Sequence, residues 1–111
     1  MQKSIDYIEA HYADPDLRIE EISVSLAVSH SYLCRIFKQL SGFTISQYLN
    51  QIRLREARIL LEQSELSIES IAYEVGYTDY AHFSKTFKKT FLRTPGLYRK
   101  LQQINRKKAQ K

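Results

Sequence analysis

The chain has 111 residues, 43% hydrophobic and 26% charged, the make-up of one globular domain able to hold a core without metal or disulfides. The lone Cys34 excludes a disulfide framework within the chain and fits a reducing compartment; no apolar run reaches the length of a membrane span and no leader pattern opens the sequence. The net charge of +5 is unevenly spread. Residues 1–43 hold four basic and six acidic side chains, residues 44–77 three and five, and residues 78–111 ten basic against Asp79 alone, so a polyanion partner is expected to meet one basic surface.

Three glycines, two prolines and apolar residues recurring every three or four positions predict an all-α chain. The first helix is expected over about Gln2 to Tyr12, with Ile5, Ile8 and Tyr12 on one face, broken by Ala13-Asp14-Pro15-Asp16. A short helix from Ile19 to about Ala27 buries Ile19, Ile22 and Leu26. Ser29 is placed to cap the next helix, which buries Leu33, Phe37 and Leu40 and stops at Ser41-Gly42. Thr44 caps the longest helix, about Ile45 to Gln63, whose apolar positions are Tyr48, Ile52, Ala57, Leu60 and Leu61.

The pattern then restarts. Ser67 caps a short helix burying Ile68, Ile71 and Val75; Gly76 turns the chain; Thr78 caps a helix burying Phe83 and Phe87; Thr94-Pro95 starts a final short helix with Leu97 and Tyr98. Ile19, Glu20, Ile22 and Leu26 align with Ile68, Glu69, Ile71 and Val75. After one added residue, Leu33, Arg35, Phe37, Lys38, Thr44 and Tyr48 align with Phe83, Lys85, Phe87, Lys88, Thr94 and Tyr98. The organisation expected is a tandem helix-turn-helix domain over residues 1–104, with lobe one at about 1–43, a linker helix at about 45–63, lobe two at about 67–101, and a frayed basic tail at 105–111. Tyr12, Tyr73, Tyr77 and Tyr98 are expected in or beside the core, and His82 in packing.

A helix-turn-helix lays its second helix in the major groove, so that helix must bury one face and offer the other to base edges. On a wheel of about 100° per residue, Phe37 and Leu40 cluster around Leu33, while Ser31, Arg35 and Lys38 fall opposite and Cys34 flanks them. In the second copy Ala81, Lys85 and Lys88 occupy the same sector, with Tyr80 and Ser84 at its edge. Arg35 suits guanine O6 and N7 through two parallel donors; Lys85 offers a looser point charge, Ser31 a promiscuous hydroxyl, and Ala81 a methyl group for thymine. The phosphate candidates are Lys38, Lys88 and Lys89, the hydroxyl of Ser84, and Ser29 and Thr78 at helix N-termini. His30 and Cys34 lie one turn apart, but two ligands make no metal site. No paired acid/base cluster, phosphate-cradling glycine loop or metal spacing points to an enzyme, and no cofactor is expected. A helical adaptor that binds protein, RNA polymerase for instance, is the alternative; alone it leaves the matched Arg35 and Lys85 unexplained.

The run from Ile68 through Lys89, continuing to Thr94-Pro95 and Tyr98-Arg99, closely resembles the signature of the AraC/XylS-type bacterial transcription regulators, and Ser29 to Gly42 and on to Tyr48 resembles that family's first motif. The resemblance implies seven helices in two helix-turn-helix lobes joined by a rigid helix. Each recognition helix then enters a successive major-groove segment of double-stranded DNA, about 34 Å apart. It puts base reading on Ser31, Arg35, Tyr80, Ala81 and Lys85. It further implies a cytoplasmic, nucleoid-associated regulator without membrane partners, and a separate sensing, receiver or dimerisation domain for which this chain is the output. Two positions depart from the pattern. Leu92 stands where the family usually has glycine, so that turn is expected to differ, and Ala27 occupies the turn position held by Gly76 in the second copy.

Overall fold

The structure, a computed structural model, describes residues 2–109, with side chains through residue 106. Among these residues it is all-helical: α1 (Gln2–His11), α2 (Ile19–Ser25), α3 (His30–Ser41), α4 (Ile45–Gln63), α5 (Ile68–Glu74), α6 (Tyr80–Phe91) and α7 (Pro95–Ala109). None of these helices is long and apolar enough to cross a membrane. The chain forms two compact units, the first ending at Arg53 and the second beginning at Leu54, so α4 gives its first half to one and its second half to the other.

In the first unit α1 packs on α2 and α2 on α3. Ile8, Ile22, Leu33, Phe37, Ile45 and Ile52 make the core, ringed by Ile5, Tyr12, Ile19, Leu26 and Tyr48. The Tyr48 ring meets Phe37 edge-on at 5.5 Å, a favoured aromatic geometry. From α4, Arg53 donates to the carbonyls of Tyr12 and Asp14, tying down the α1–α2 turn at 2.8 and 2.9 Å.

The second unit repeats this plan with more aromatic surface. α5 packs on α6 and α6 on α7. Phe87 contacts Phe83, Phe91 and Tyr98, the last edge-on at 5.6 Å, matching the Phe37–Tyr48 pair. Arg99 donates to the carbonyls of Leu60, Leu61, Ser64 and Leu66, satisfying the end of α4 and the loop beyond it.

The turns match bond for bond. In α2–α3, Ala27 N–H donates to Val24 and Val28 N–H to Ser23; in α5–α6, Gly76 N–H donates to Tyr73 and Tyr77 N–H to Ala72. Ala27 and Gly76 both take positive φ, 56° and 107°. The residue added in the second copy is Thr78, between Tyr77 and the cap of α6. At the far ends, Gly42 and Leu92 are both left-handed, each donating its N–H four residues back, to Lys38 and Lys88. The Leu92 turn thus keeps the left-handed geometry, contrary to expectation: the bond to Lys88 closes it as in the first unit, and the 83% exposed leucine bears the local backbone penalty.

Four other expectations are corrected. Leu40 is 65% exposed rather than buried. The inward stripe of α3 runs through Leu33, Ile36 and Phe37, and Leu40 is the penultimate residue of the helix; the equivalent Thr90 is polar and exposed. Tyr73 is 48% exposed, its hydroxyl donating to Glu69, whereas Tyr77 is buried and Tyr12 and Tyr98 are partly so. His82 is exposed, though its ring touches Tyr77 at 5.7 Å. The last helix, expected to be short, has 15 residues, and its backbone is helical through the first part of the segment expected to fray. The tail cations Lys107, Lys108 and Lys111 fall outside the described side chains.

Burial, and then the neighbouring Glu62 carboxylate, hold the Tyr98 phenol above its ordinary range. A raised phenol favours the neutral folded form: its stabilisation is complete below pH 10.0, the ordinary value, and fades as pH rises through the raised one. Melting curves of Tyr98→Phe should therefore fall less with rising pH above that value than those of the wild type. Leu92→Gly should raise stability by about 0.5–1 kcal/mol, since relief of the left-handed penalty outweighs the added chain entropy. A Tm that rises by a few degrees supports this; an unchanged or lower Tm refutes it.

Candidate nucleic-acid interface

α3 and α6 are built alike because their sequences set the same constraints in the same order. Each begins at a side-chain cap, buries an i, i+4 pair against its own unit and ends at a left-handed residue. Leu33 with Phe37, and Phe83 with Phe87, are buried, the last two completely. With those rows fixed inward, the opposite face of each helix has only solvent to meet.

On α3 that face carries Ser31, Arg35 and Lys38, all exposed. On α6 it carries Tyr80, Ala81, Lys85, Lys88 and Lys89, all exposed, with Ser84 half-buried at its border. The five expected base-reading residues are therefore all accessible and sit on two helices of matching construction. Lys85, Lys88 and Lys89 make α6 the more cationic. Arg99, counted with the basic end by sequence, is spent internally on carbonyls.

The two helix starts differ in charge. Ser29 caps α3 with a neutral hydroxyl that accepts from Tyr32 N–H at 3.1 Å. The cap of α6 is Asp79, not Thr78: its carboxylate accepts from the N–H groups of Ala81 and His82. Asp is as good a cap as Thr or better, and its charge complements the helix dipole. Thr78 sits one residue outside the helix with its hydroxyl exposed. A negative charge already at the start of α6 opposes a phosphate there, whereas the start of α3 has no such obstacle.

One contact beside the candidate face had not been expected. Tyr32, 47% exposed, lies one turn before Arg35, and the guanidinium carbon stands over its ring at 5.7 Å from the centroid. The i, i+3 spacing of an aromatic and an arginine was the available signal. Among the described residues no group of three or more His, Cys, Asp or Glu side chains is arranged to hold a metal ion.

A family model described as a helix-turn-helix domain matches residues 16–101. The regulatory protein PocR of Salmonella typhimurium is 39% identical over 105 residues, which is 95% of this chain and 34% of PocR. The chain thus spans about a third of the length of such curated relatives. The C-terminal domain of AraT, a response regulator from Geobacillus stearothermophilus, superposes with a TM-score of 0.86 at 37% identity, covering 90% of this chain and 83% of that one. The DNA-binding domain of AdpA, a global transcriptional factor solved with a target DNA, superposes with a TM-score of 0.89 over 95% and 94% of the two chains; at 22% identity this is a likeness of fold.

The α6 cap can be checked directly. Asp79→Ala should cost about 1 kcal/mol, and Thr78→Ala close to nothing. Urea midpoints of the two variants decide between the caps, and the reverse order would restore Thr78.

Proposed function

Because the chain belongs to the AraC/XylS-type helix-turn-helix family of transcription regulators, whose helix-turn-helix domains bind DNA, we propose that it reads double-stranded DNA sequence-specifically through α3 and α6. In this reading each helix enters one of two successive major-groove segments. The observation that carries it is the matched pair Arg35 and Lys85: two helices with the same buried rows and the same terminal geometry put a basic side chain at the same exposed position.

Arg35 discriminates most sharply, because its planar fork donates two parallel bonds to guanine O6 and N7, worth about 1–3 kcal/mol. Lys85 reads acceptors more loosely. Ser31 and Tyr80 add hydrogen-bonding hydroxyls, and Ala81 a methyl contact to thymine. Lys38, Lys88 and Lys89 neutralise phosphates; Ser29 hydrogen-bonds to one with the start of α3 behind it, and Ser84 and Thr78 do so through their hydroxyls alone. The first unit then supplies more of the specificity and the second more of the charge-driven affinity.

The reading also makes this chain the output domain of a longer, cytoplasmic, nucleoid-associated regulator. Its sensing, receiver or dimerising part lies elsewhere in the protein, and RNA polymerase is a neighbour at the promoter. The length of the matched relatives supports this.

Selection of bound duplexes from a random pool, followed by titration at two salt concentrations, tests the proposal. Three lysine–phosphate contacts set a log–log salt slope of roughly −3, and each Lys→Ala at 38, 88 or 89 should reduce it by about 1 with uniform loss across sequences. Arg35→Ala and Lys85→Ala should weaken the selected duplex more than a random one. Equal losses on both would make them phosphate contacts; no enrichment from the pool and no salt dependence would overturn the reading.

A further inference from the structure

We infer that Tyr32 is a positioning residue that holds the Arg35 guanidinium ready for a guanine, an inference that rests on the DNA-reading proposal and deepens it. An arginine on a bare helix face spreads over many rotamers, and ordering it on a base costs much of what its hydrogen bonds return. Arg35 is not on a bare face. Its guanidinium carbon stands over the Tyr32 ring at 5.7 Å, within reach of a cation–π attraction.

The ring's own base is fixed. Tyr32 is the third residue of α3, and its N–H donates to the Ser29 cap at 3.1 Å. The next residue, Leu33, is anchored in the core and donates its N–H to the Ser29 carbonyl at 3.0 Å. Cap, core and ring thus form one short rigid unit from which the arginine is guided. A ring contact offers no conventional hydrogen-bond acceptor, so it does not use up the guanidinium N–H donors that a guanine edge takes. The 47% exposure of Tyr32 is then accounted for, since the ring serves a partner on the surface rather than the core.

The second copy lacks the device. Its equivalent residue, His82, touches Tyr77 at 5.7 Å instead, and the side chain three residues on is Lys85, whose ammonium has no planar fork to align. The repeat therefore holds one guided reader and one unguided reader, and the difference lies in the residue beneath each cation as much as in the cation.

The test uses the full chain with its selected duplex, the same duplex carrying adenine for the guanine that Arg35 reads, and a random duplex. Tyr32→Leu should lose about three- to fivefold of the guanine-over-adenine preference, with unchanged binding to the random duplex and an unchanged Tm. Tyr32→Phe, which keeps the ring, should stay close to wild type. In an Arg35→Ala background Tyr32→Leu should have no further effect on the preference. An equal loss on all three duplexes, a loss that persists without Arg35, or a Tyr32→Phe loss as large as that of Tyr32→Leu would each overturn the inference; the last would mean that the hydroxyl itself meets the DNA. Failure of the parent reading is distinct, because wild type would then show no sequence preference at all.

Discussion

Everything the two candidate reading faces do depends on an aromatic ring seated in the middle of each recognition helix. Phe37 and Phe87 are almost wholly buried, and each is met edge-on by a tyrosine from the helix that follows, Tyr48 at 5.5 Å and Tyr98 at 5.6 Å. The ring fixes the rotation of its helix about the long axis. Arg35 and Lys85 stand two residues earlier, about 200° around the helix, so burying the ring turns each cation outward. Rotation of either helix by one residue's worth would bury a charge and expose a phenylalanine, which is costly on both counts. Exposure of the basic position is thus a by-product of core packing and needs no contact of its own.

On that common frame the copies diverge where the frame does not constrain them. The caps are Ser29 and Asp79, the residues beneath the cations Tyr32 and His82, the cations Arg35 and Lys85. None of these enters a core, so they differ between the units while the helices and turns stay alike. The two arginines that bind backbone carbonyls, Arg53 and Arg99, show the opposite case. Each carries a formal charge, yet each closes the end of a helix or a turn by hydrogen bonding. Formal charge summed along the sequence therefore overstates the cationic donors open to direct contact with a polyanion.

The helices were legible because apolar spacing, caps and glycine stops agreed with one another. Ser29, Thr44, Ser67 and Gly42 stand where their chemistry puts them, with Thr44 and Gln47 exchanging bonds as a capping box. The errors came where two residues of similar capacity stood side by side or where a helix ran out. Thr78 and Asp79 both suit a cap, and nothing in one sequence says which will reach the amides. Leu40 obeys the apolar period but lies near the helix end, beyond the packing, and Tyr73 finds a carboxylate on its own helix instead of a core. The exposed faces could be placed by the wheel, since they follow from what is buried. The Tyr32–Arg35 contact could not, because it depends on where two exposed side chains point.

The left-handed residues divide a cost between the units. Each unit needs two of them, one in the turn before its recognition helix and one just after it. The first unit has Ala27 and Gly42, the second Gly76 and Leu92. Each unit thus has glycine at one of its two sites and a residue with a Cβ at the other, and the Cβ-bearing residues stand at opposite ends. Neither half has collected both penalties. The conformational cost is thus divided between the two units, so that neither is the weaker through backbone strain alone.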